Sequence, residues 1–101
     1  MSKGAFHGIV TPILTPYNDD QSIARDLYLA HAAWQLQNGA DYISPFGTTG
    51  EAVSNGMQER MSVLEDLVAT GNLPPSKMMP GTGVGALPDT IALTRHAVDL
   101  G

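Results

Sequence analysis

Two threonines flanked by glycines form the stretch whose residue types best suit chemistry. The sequence runs Gly47-Thr48-Thr49-Gly50-Glu51 directly after a short apolar run. Such a loop offers two hydroxyl groups and several backbone N–H groups, and its glycines let a ligand approach the main chain. These donors suit a small anion, for example a carboxylate or a phosphate. The same residues would also fit a glycine-rich turn in which a threonine caps the following helix.

Composition argues against several classes of function. The 101 residues carry a net charge of −5, with 5 lysines and arginines against 10 aspartates and glutamates. Without a basic cluster, we expect no binding to nucleic acid or to an anionic membrane surface. The chain has no cysteine, and we expect no disulfide and no metal site. No apolar run approaches the ~20 residues of a membrane span, and Met1–His7 lacks a signal-peptide core. We therefore expect a soluble, cytoplasmic protein.

The loop is expected to lie in a chain that alternates strand and helix three times. Short strands are predicted at Gly8–Pro12, Asp41–Pro45 and Lys77–Pro80, the first of them buried on both faces. Alternating buried strands and helices predict an α/β fold with a parallel sheet and a helical cover. In such folds ligands bind at the carboxyl ends of the strands, where Gly47–Glu51 would lie. Three units leave two sheet edges open, so residues 1–101 are expected to form a single, incomplete domain.

Three amphipathic helices are predicted from apolar residues at spacings of three and four. Their core-facing stripes are expected to be Ile23, Leu27, Ala30 and Trp34; Met57, Met61, Leu64 and Val68; and Leu93, Ala97 and Leu100. Ser22 is the expected N-cap of the first helix, and the third is expected from about Pro88 to Leu100. Polar residues, Arg60 among them, are expected to cover the outer side of the second helix.

Four features together resemble one known family. They are Gly8-Ile9-Val10-Thr11-Pro12, the run Gly47-Thr48-Thr49-Gly50-Glu51-Ala52, the following Glu59, and Pro80-Gly81-Thr82-Gly83. This combination is similar to the dihydrodipicolinate synthase / N-acetylneuraminate lyase family of class I aldolases. The resemblance implies a (β/α)8 TIM barrel, of which this chain would hold the first three strand–helix units.

The resemblance also implies a reaction at the methyl carbon of pyruvate, through a Schiff base on a barrel lysine. It implies that Thr48 passes protons together with a tyrosine. The carboxylate of pyruvate, or of another 2-oxo acid, would be held by Thr48 and Thr49, with Gly47 and Gly50 shaping the backbone. Glu51 is expected to brace the loop or the helix start rather than act as a base. No cofactor is implied, and the full-length protein would be a homo-oligomer.

The lysine and the tyrosine that the resemblance requires are not matched in this chain. Lys3 lies in the amino-terminal tail, and Lys77 precedes the third strand, on the barrel face opposite the active site. Tyr17, Tyr28 and Tyr42 match no proton-relay position. The chain alone is therefore expected to be inactive.

Several interpretations of the whole protein stay open. It could be a dihydrodipicolinate-synthase-like aldolase, which Thr48 favours because the related lyases more often carry serine there. It could also be a sugar-acid or sialic-acid aldolase of the same family, or a phosphate-binding barrel enzyme. The chain could instead be a non-catalytic truncated product or an interaction module. The run Gly81–Gly85 lacks the spacing of a dinucleotide-binding loop.

Overall fold

The structure, a computed structural model, describes residues 7–101. Lys3 and the rest of the first six residues lie outside the described residues. The regular elements, in chain order, are β1 (Val10–Pro12), α1 (Arg25–Gln37), β2 (Tyr42–Ser44), α2 (Met57–Ala69) and α3 (Leu87–Leu100), with 3₁₀ helices at Ala52–Ser54 and Pro75–Lys77. None of the helices in this part of the chain is long and apolar enough to cross a membrane.

The two strands pair in parallel, as alternating strands and helices predict. Thr11 lies opposite Ile43, and α1 connects the two strands. The expectation that the first strand is buried on both faces is wrong, because Val10 and Pro12 are exposed. Within residues 7–101, β1 pairs with β2 alone, so its other edge has no partner strand in this part of the chain. The units do not close into a barrel.

The predicted third strand, Lys77–Pro80, is not a regular strand. Lys77 ends a 3₁₀ helix, and Met78 forms a single parallel bridge with Ile43. The reason is chemical, because Pro80 has no N–H to donate and interrupts the hydrogen-bond ladder. The chain still follows β2 in parallel, since the N–H of Gly81 donates to the carbonyl of Pro45 at 2.7 Å. This contact brings Gly81 alongside the residues that follow β2.

Helix α1 begins later than predicted and buries a different side. Its N-cap is Ala24, not Ser22, whose hydroxyl instead hydrogen-bonds Asp20 in the preceding turn. Leu27 is 62% exposed and Trp34 is 56% exposed, so the part of the predicted stripe that lies within α1 faces outward. Ile23, which precedes the helix, is buried as predicted. Within α1, Tyr28 and Ala32 are buried instead. Apolar residues lie on both sides of α1, and periodicity alone therefore did not select the packed side.

Helices α2 and α3 have the predicted positions, and α2 shows a second error in the buried face. The predicted Leu64 is buried, but the other buried positions of α2 are Arg60, Val63 and Leu67. In α3, the predicted Leu93 is buried. The core formed beneath the helices comprises Ile13, Ile23, Tyr28, Ala32, Ile43, Phe46, Ala52, Val63, Leu64 and Leu67. Arg60, expected on the surface, is thus packed against this core.

Candidate functional site

The loop after β2 is turned by its end residues and not by its glycines. Phe46 has φ 58° and Glu51 has φ 57°, both in the left-handed region. Gly47 and Gly50 have no positive φ, so neither adopts backbone angles that are closed to other residues. A non-glycine residue in this region costs on the order of 1 kcal/mol and persists only where its surroundings hold it. Backbone strain is therefore concentrated at both ends of the loop.

The two glycines have different structural roles. A Cβ atom at Gly50 would lie 2.9 Å from the carbonyl oxygen of Ile13 and 3.1 Å from the backbone nitrogen of Phe46. Those neighbours are backbone atoms and cannot rotate away. A Cβ atom at Gly47 would meet nothing within 4 Å. A glycine is thus needed at position 50, because the chain there packs closely against Ile13, which directly follows β1. Gly47 borders open space.

The loop presents several hydrogen-bond donors, while two of its carbonyl groups accept from the residues that follow it. The carbonyls of Gly47 and Thr48 accept from Ala52 and Glu51, at 3.2 Å and 3.0 Å. Within the described chain, the N–H groups of Gly47, Thr48, Thr49 and Gly50 donate to no acceptor, and the two threonine hydroxyls form no hydrogen bond. Thr48 and Thr49 are exposed. The loop can therefore offer several donors to one small anion.

Two residues that follow β1, together with Asn55, hold the loop in place. The hydroxyl of Thr15 donates to the carbonyl of Gly50 at 2.6 Å. The amide nitrogen of Asn55 donates to the carbonyl of Glu51 and to the hydroxyl of Tyr17, each at 2.9 Å. Glu51 is the N-cap of the 3₁₀ helix, and its N–H donates to the carbonyl of Thr48 at 3.0 Å. Its carboxylate forms no hydrogen bond within residues 7–101, so the loop is not held through this side chain. Asn55 performs that role.

Thr15, Tyr17 and Asn55 were missed in the sequence analysis. A signal for the first two existed, because residues that follow β1 must lie at the same sheet edge as those that follow β2 when the strands are parallel. No pattern in the sequence distinguishes Asn55 from any other polar residue before a helix.

A cleft of about 340 Å³ lies beside the loop. Its lining residues are Phe46, Gly47, Thr48, Ala52, Val53, Gly81 and Gly83. The structure thus brings the predicted Thr48 and Gly47 together at the cleft, while Thr49 and Gly50 are in the loop but outside the lining. The opposite wall comes from the Gly81–Gly83 segment. A Cβ atom at Gly81 would lie 2.3 Å from the carbonyl oxygen of Phe46, so a side chain there would separate the two walls.

Arg60 contacts both walls. Its Nη2 donates to the carbonyl of Gly81 at 2.8 Å, and its Nη1 donates to the carbonyl of Gly83 at 3.0 Å. Its guanidinium carbon lies 5.9 Å from the centre of the Phe46 ring, within the range of a cation–π contact. Burial lowers the pKa of Arg60 from its ordinary value. The burial of Arg60 could not be predicted from the sequence, because a charged residue on a helix is usually exposed.

The residues that line the cleft include neither Lys77 nor a tyrosine of the described chain. The ammonium of Lys77 lies 5.8 Å from the centre of the Tyr42 ring, and Tyr42 begins β2 at the end opposite the loop. Tyr28 is buried, with its ring centre 5.7 Å from that of Phe46. Burial raises the pKa of the Tyr28 phenol well above its ordinary value, and the Thr15 hydroxyl opposes this only in part. Tyr28 therefore stays neutral in the fold.

Comparison with known proteins identifies similar sequences over nearly the whole chain. The family model described as the dihydrodipicolinate synthetase family matches residues 5–101. The 4-hydroxy-tetrahydrodipicolinate synthase of Pelobacter propionicus is 35% identical over 103 residues, which cover 100% of this chain and 33% of that protein. The chain thus spans about a third of the length of the curated relatives that it matches.

Solved structures show the same similarity in three dimensions. The crystal structure of dihydrodipicolinate synthase from Agrobacterium tumefaciens matches with a TM-score of 0.88 and 34% identity, over 93% of this chain and 32% of that one. A variant of the 2-keto-3-deoxygluconate aldolase of Sulfolobus solfataricus, in complex with pyruvate, matches with a TM-score of 0.81 and 28% identity, over 92% and 30% of the two chains. The strand–helix units described above therefore match about a third of these larger TIM-barrel proteins.

Proposed function

The chain belongs to the dihydrodipicolinate synthetase family, and we propose that it supplies the 2-oxo-acid-binding loop of a Schiff-base-forming, pyruvate-dependent aldolase or lyase. One observation carries the proposal: the N–H and hydroxyl groups of the loop Gly47–Gly50 have no hydrogen-bond partner in the described chain and lie beside a cleft, while three of its four carbonyls accept hydrogen bonds. A carboxylate accepts hydrogen bonds and donates none, so it fits a surface of this kind.

Two threonines have separate roles in this proposal. The N–H groups of Thr48 and Thr49, with their hydroxyls, hold the carboxylate of pyruvate or of another 2-oxo acid. Thr48 lines the cleft, and its hydroxyl passes protons together with a tyrosine that a longer protein would provide. Gly50 sets the loop against the first strand segment, and Gly47 leaves space for the ligand. The pyruvate complex of the similar 2-keto-3-deoxygluconate aldolase supports the choice of ligand.

The favoured activity of the whole protein is that of 4-hydroxy-tetrahydrodipicolinate synthase. The support is the Gly-Thr-Thr-Gly-Glu motif together with curated relatives of that name. A sugar-acid or sialic-acid aldolase is the alternative, and the likeness to 2-keto-3-deoxygluconate aldolase favours it. We also propose that the full-length protein is a cytoplasmic homo-oligomer without a cofactor.

Residues 1–101 alone are proposed to bind a 2-oxo acid without turning it over. Lys77 is at the end of β2 opposite the loop, where its amine would not meet a carbonyl held in the cleft. The Schiff-base lysine would then belong to a later strand of a longer protein. A downstream reading frame that encodes no strand ending in lysine would contradict the aldolase assignment.

Reductive trapping tests the proposal directly. The chain is incubated with pyruvate and borohydride and analysed by mass spectrometry, with Lys77→Arg as the control for non-specific reaction. We expect no stable adduct, while NMR titration with pyruvate shifts the amide signals of Gly47–Gly50. A pyruvate adduct on Lys77 would overturn the assignment of the nucleophile. Unchanged loop signals at saturating pyruvate would overturn the assignment of the binding site.

A non-catalytic product is the second candidate function, and the open surface of the fold favours it. The free edge of β1 and the exposed side chains of Leu14, Leu27 and Trp34 would promote association with a partner that supplies the missing strands. Size-exclusion chromatography and circular dichroism separate the possibilities. A soluble monomer that melts cooperatively would argue against a role that depends on association.

A further inference from the structure

Arg60 is a buried cation without a carboxylate partner. Its side chain is 2% exposed, and within residues 7–101 it forms no ion pair with an aspartate or glutamate. Its Nε is also buried without a hydrogen-bond partner in this part of the chain. A buried charge is unfavourable unless it is paired, and an arginine side chain keeps its charge in a protein. A full positive charge therefore lies beside the cleft.

The groups that compensate this charge belong to both walls of the cleft. Gly81 and Gly83 give their carbonyl oxygens, and Phe46 gives the face of its ring. All three residues line the cleft. Arg60 thus connects the loop after β2 to the Gly81–Gly83 segment, and it does so from behind the residues that line the cleft. Its partners are two carbonyl dipoles and an aromatic ring, and none of them is an anion.

The hydrogen bonds from Arg60 determine whether the carbonyl oxygens of Gly81 and Gly83 can repel an anion in the cleft. A carbonyl oxygen bonded to Arg60 is directed at the guanidinium, so its negative end is not directed at an anion in the cleft. Because the peptide bonds are trans, the N–H of Thr82 is directed away from Arg60. That N–H donates to no acceptor in the described chain. Thr82 is not among the residues that line the cleft, so the effect of Arg60 on the second wall comes from the two carbonyl groups.

We propose that Arg60 is the positioning residue of this cleft, which it makes selective for a small carboxylate over a neutral molecule of the same shape. The proposal rests on the proposed function and adds to it the residue that sets the charge preference. Arg60 touches no ligand itself. It acts through the orientation of two carbonyl groups and through a positive charge, in a region of low dielectric, that no carboxylate neutralises within residues 7–101.

The test compares pyruvate with its neutral amide, pyruvamide, by NMR titration of the 101-residue chain. We expect pyruvate to bind at least about tenfold more tightly than pyruvamide, because one buried charge close to the site acts on the carboxylate alone. Arg60→Met should reduce this preference to about twofold or less. Arg60→Lys should keep part of it, because the charge remains while the two-pronged contact is lost. Arg95→Met, which removes an exposed arginine from α3, should leave it unchanged.

The outcomes separate this proposal from the proposed function. If the unmodified chain binds pyruvate and pyruvamide equally well, the role of Arg60 is overturned while the binding function stands, and no variant is needed for that result. If Arg60→Met weakens both ligands by the same factor, Arg60 is merely structural and the proposal is also overturned. If the unmodified chain binds neither ligand, both the proposed function and the role of Arg60 are overturned.

Discussion

The hydroxyl of Thr15 donates a 2.6 Å hydrogen bond to the carbonyl of Gly50, and both residues are buried. This contact fixes the loop after β2 to the chain that leaves β1. The two residues are 35 positions apart in the sequence. The shape of the candidate site therefore depends on the parallel pairing of the two strands.

Removal of that hydroxyl should destabilise the fold. Thr15→Val keeps the side-chain shape but leaves the Gly50 carbonyl buried without a donor, which costs about 1–3 kcal/mol of unfolding free energy. Urea unfolding at low protein concentration measures the change. Thr15→Ser keeps the hydroxyl and serves as the control. Equal losses in the two variants would show that the methyl group, and not the hydrogen bond, matters.

Alanine should be tolerated at one loop glycine and not at the other. At Gly50 the added Cβ atom meets the backbone of Ile13 and Phe46, so Gly50→Ala should lower the unfolding free energy by about 1–3 kcal/mol. At Gly47 the space is open, and Gly47→Ala should change it by less than about 0.5 kcal/mol. Thermal melts of the matched pair test this difference. Similar midpoints for both variants would contradict the described packing.

Glycine at position 51 should stabilise the chain. Glu51 has a left-handed φ of 57° and its carboxylate forms no hydrogen bond in the described chain. Relief of about 1–2 kcal/mol of left-handed strain, less about 0.5–1 kcal/mol for the flexibility of glycine when unfolded, leaves a net gain of about 0.5–1 kcal/mol. Glu51→Ala removes the same carboxylate without relieving the strain and should give no gain. A gain as large in Glu51→Ala would point to charge instead.

High pH should destabilise the fold through Tyr28. Its phenol has a raised pKa in the folded state because it is buried, while the unfolded chain loses this proton near pH 10. Above that pH the unfolded state binds fewer protons, so the unfolding free energy should fall by up to about 1.4 kcal/mol per pH unit. The stability contributed by the neutral phenol is complete below pH 10. Urea unfolding between pH 8 and about 11 measures the slope.

Tyr28→Phe is the control for this pH dependence. It has no proton to lose, so its stability should vary less with pH above about 10 than that of the unmodified chain. If the two slopes coincide, another group is responsible. The ring contact with Phe46 is kept in this variant, and a large loss of stability at pH 7 is therefore not expected.

Helices and strands with apolar residues on one side only were predictable from the sequence. Leu93 carries the buried side of α3, and the helix was predicted within one residue of its observed start. Strand β2 was likewise predicted, because Asp41–Pro45 is a short apolar run bounded by polar residues. In α1, Leu27 and Trp34 compete with Tyr28 and Ala32 for the same role, and only tertiary packing decided between them.

The supports of the site could not be predicted in the same way. Arg60 is one of several charged residues on α2, and its burial depends on carbonyls more than 20 positions away. Phe46 and Glu51 adopt left-handed angles that their residue types disfavour. The donors themselves, Thr48 and Thr49, were expected from residue type, because hydroxyls between glycines suggest an anion site. Their roles in binding and proton transfer stay predictions.

The exposed indole of Trp34 allows the outer side of α1 to be monitored by intrinsic fluorescence. Trp34 is the single tryptophan of the sequence, and its ring stacks on His31 at the outer side of α1. Its fluorescence therefore responds to events on α1 and not to ligands in the cleft. An emission maximum that moves to shorter wavelength as the protein concentration rises would show that another chain has covered this side of α1. An unchanged spectrum during pyruvate titration would show that ligand binding in the cleft does not affect α1, so the two events can be measured independently.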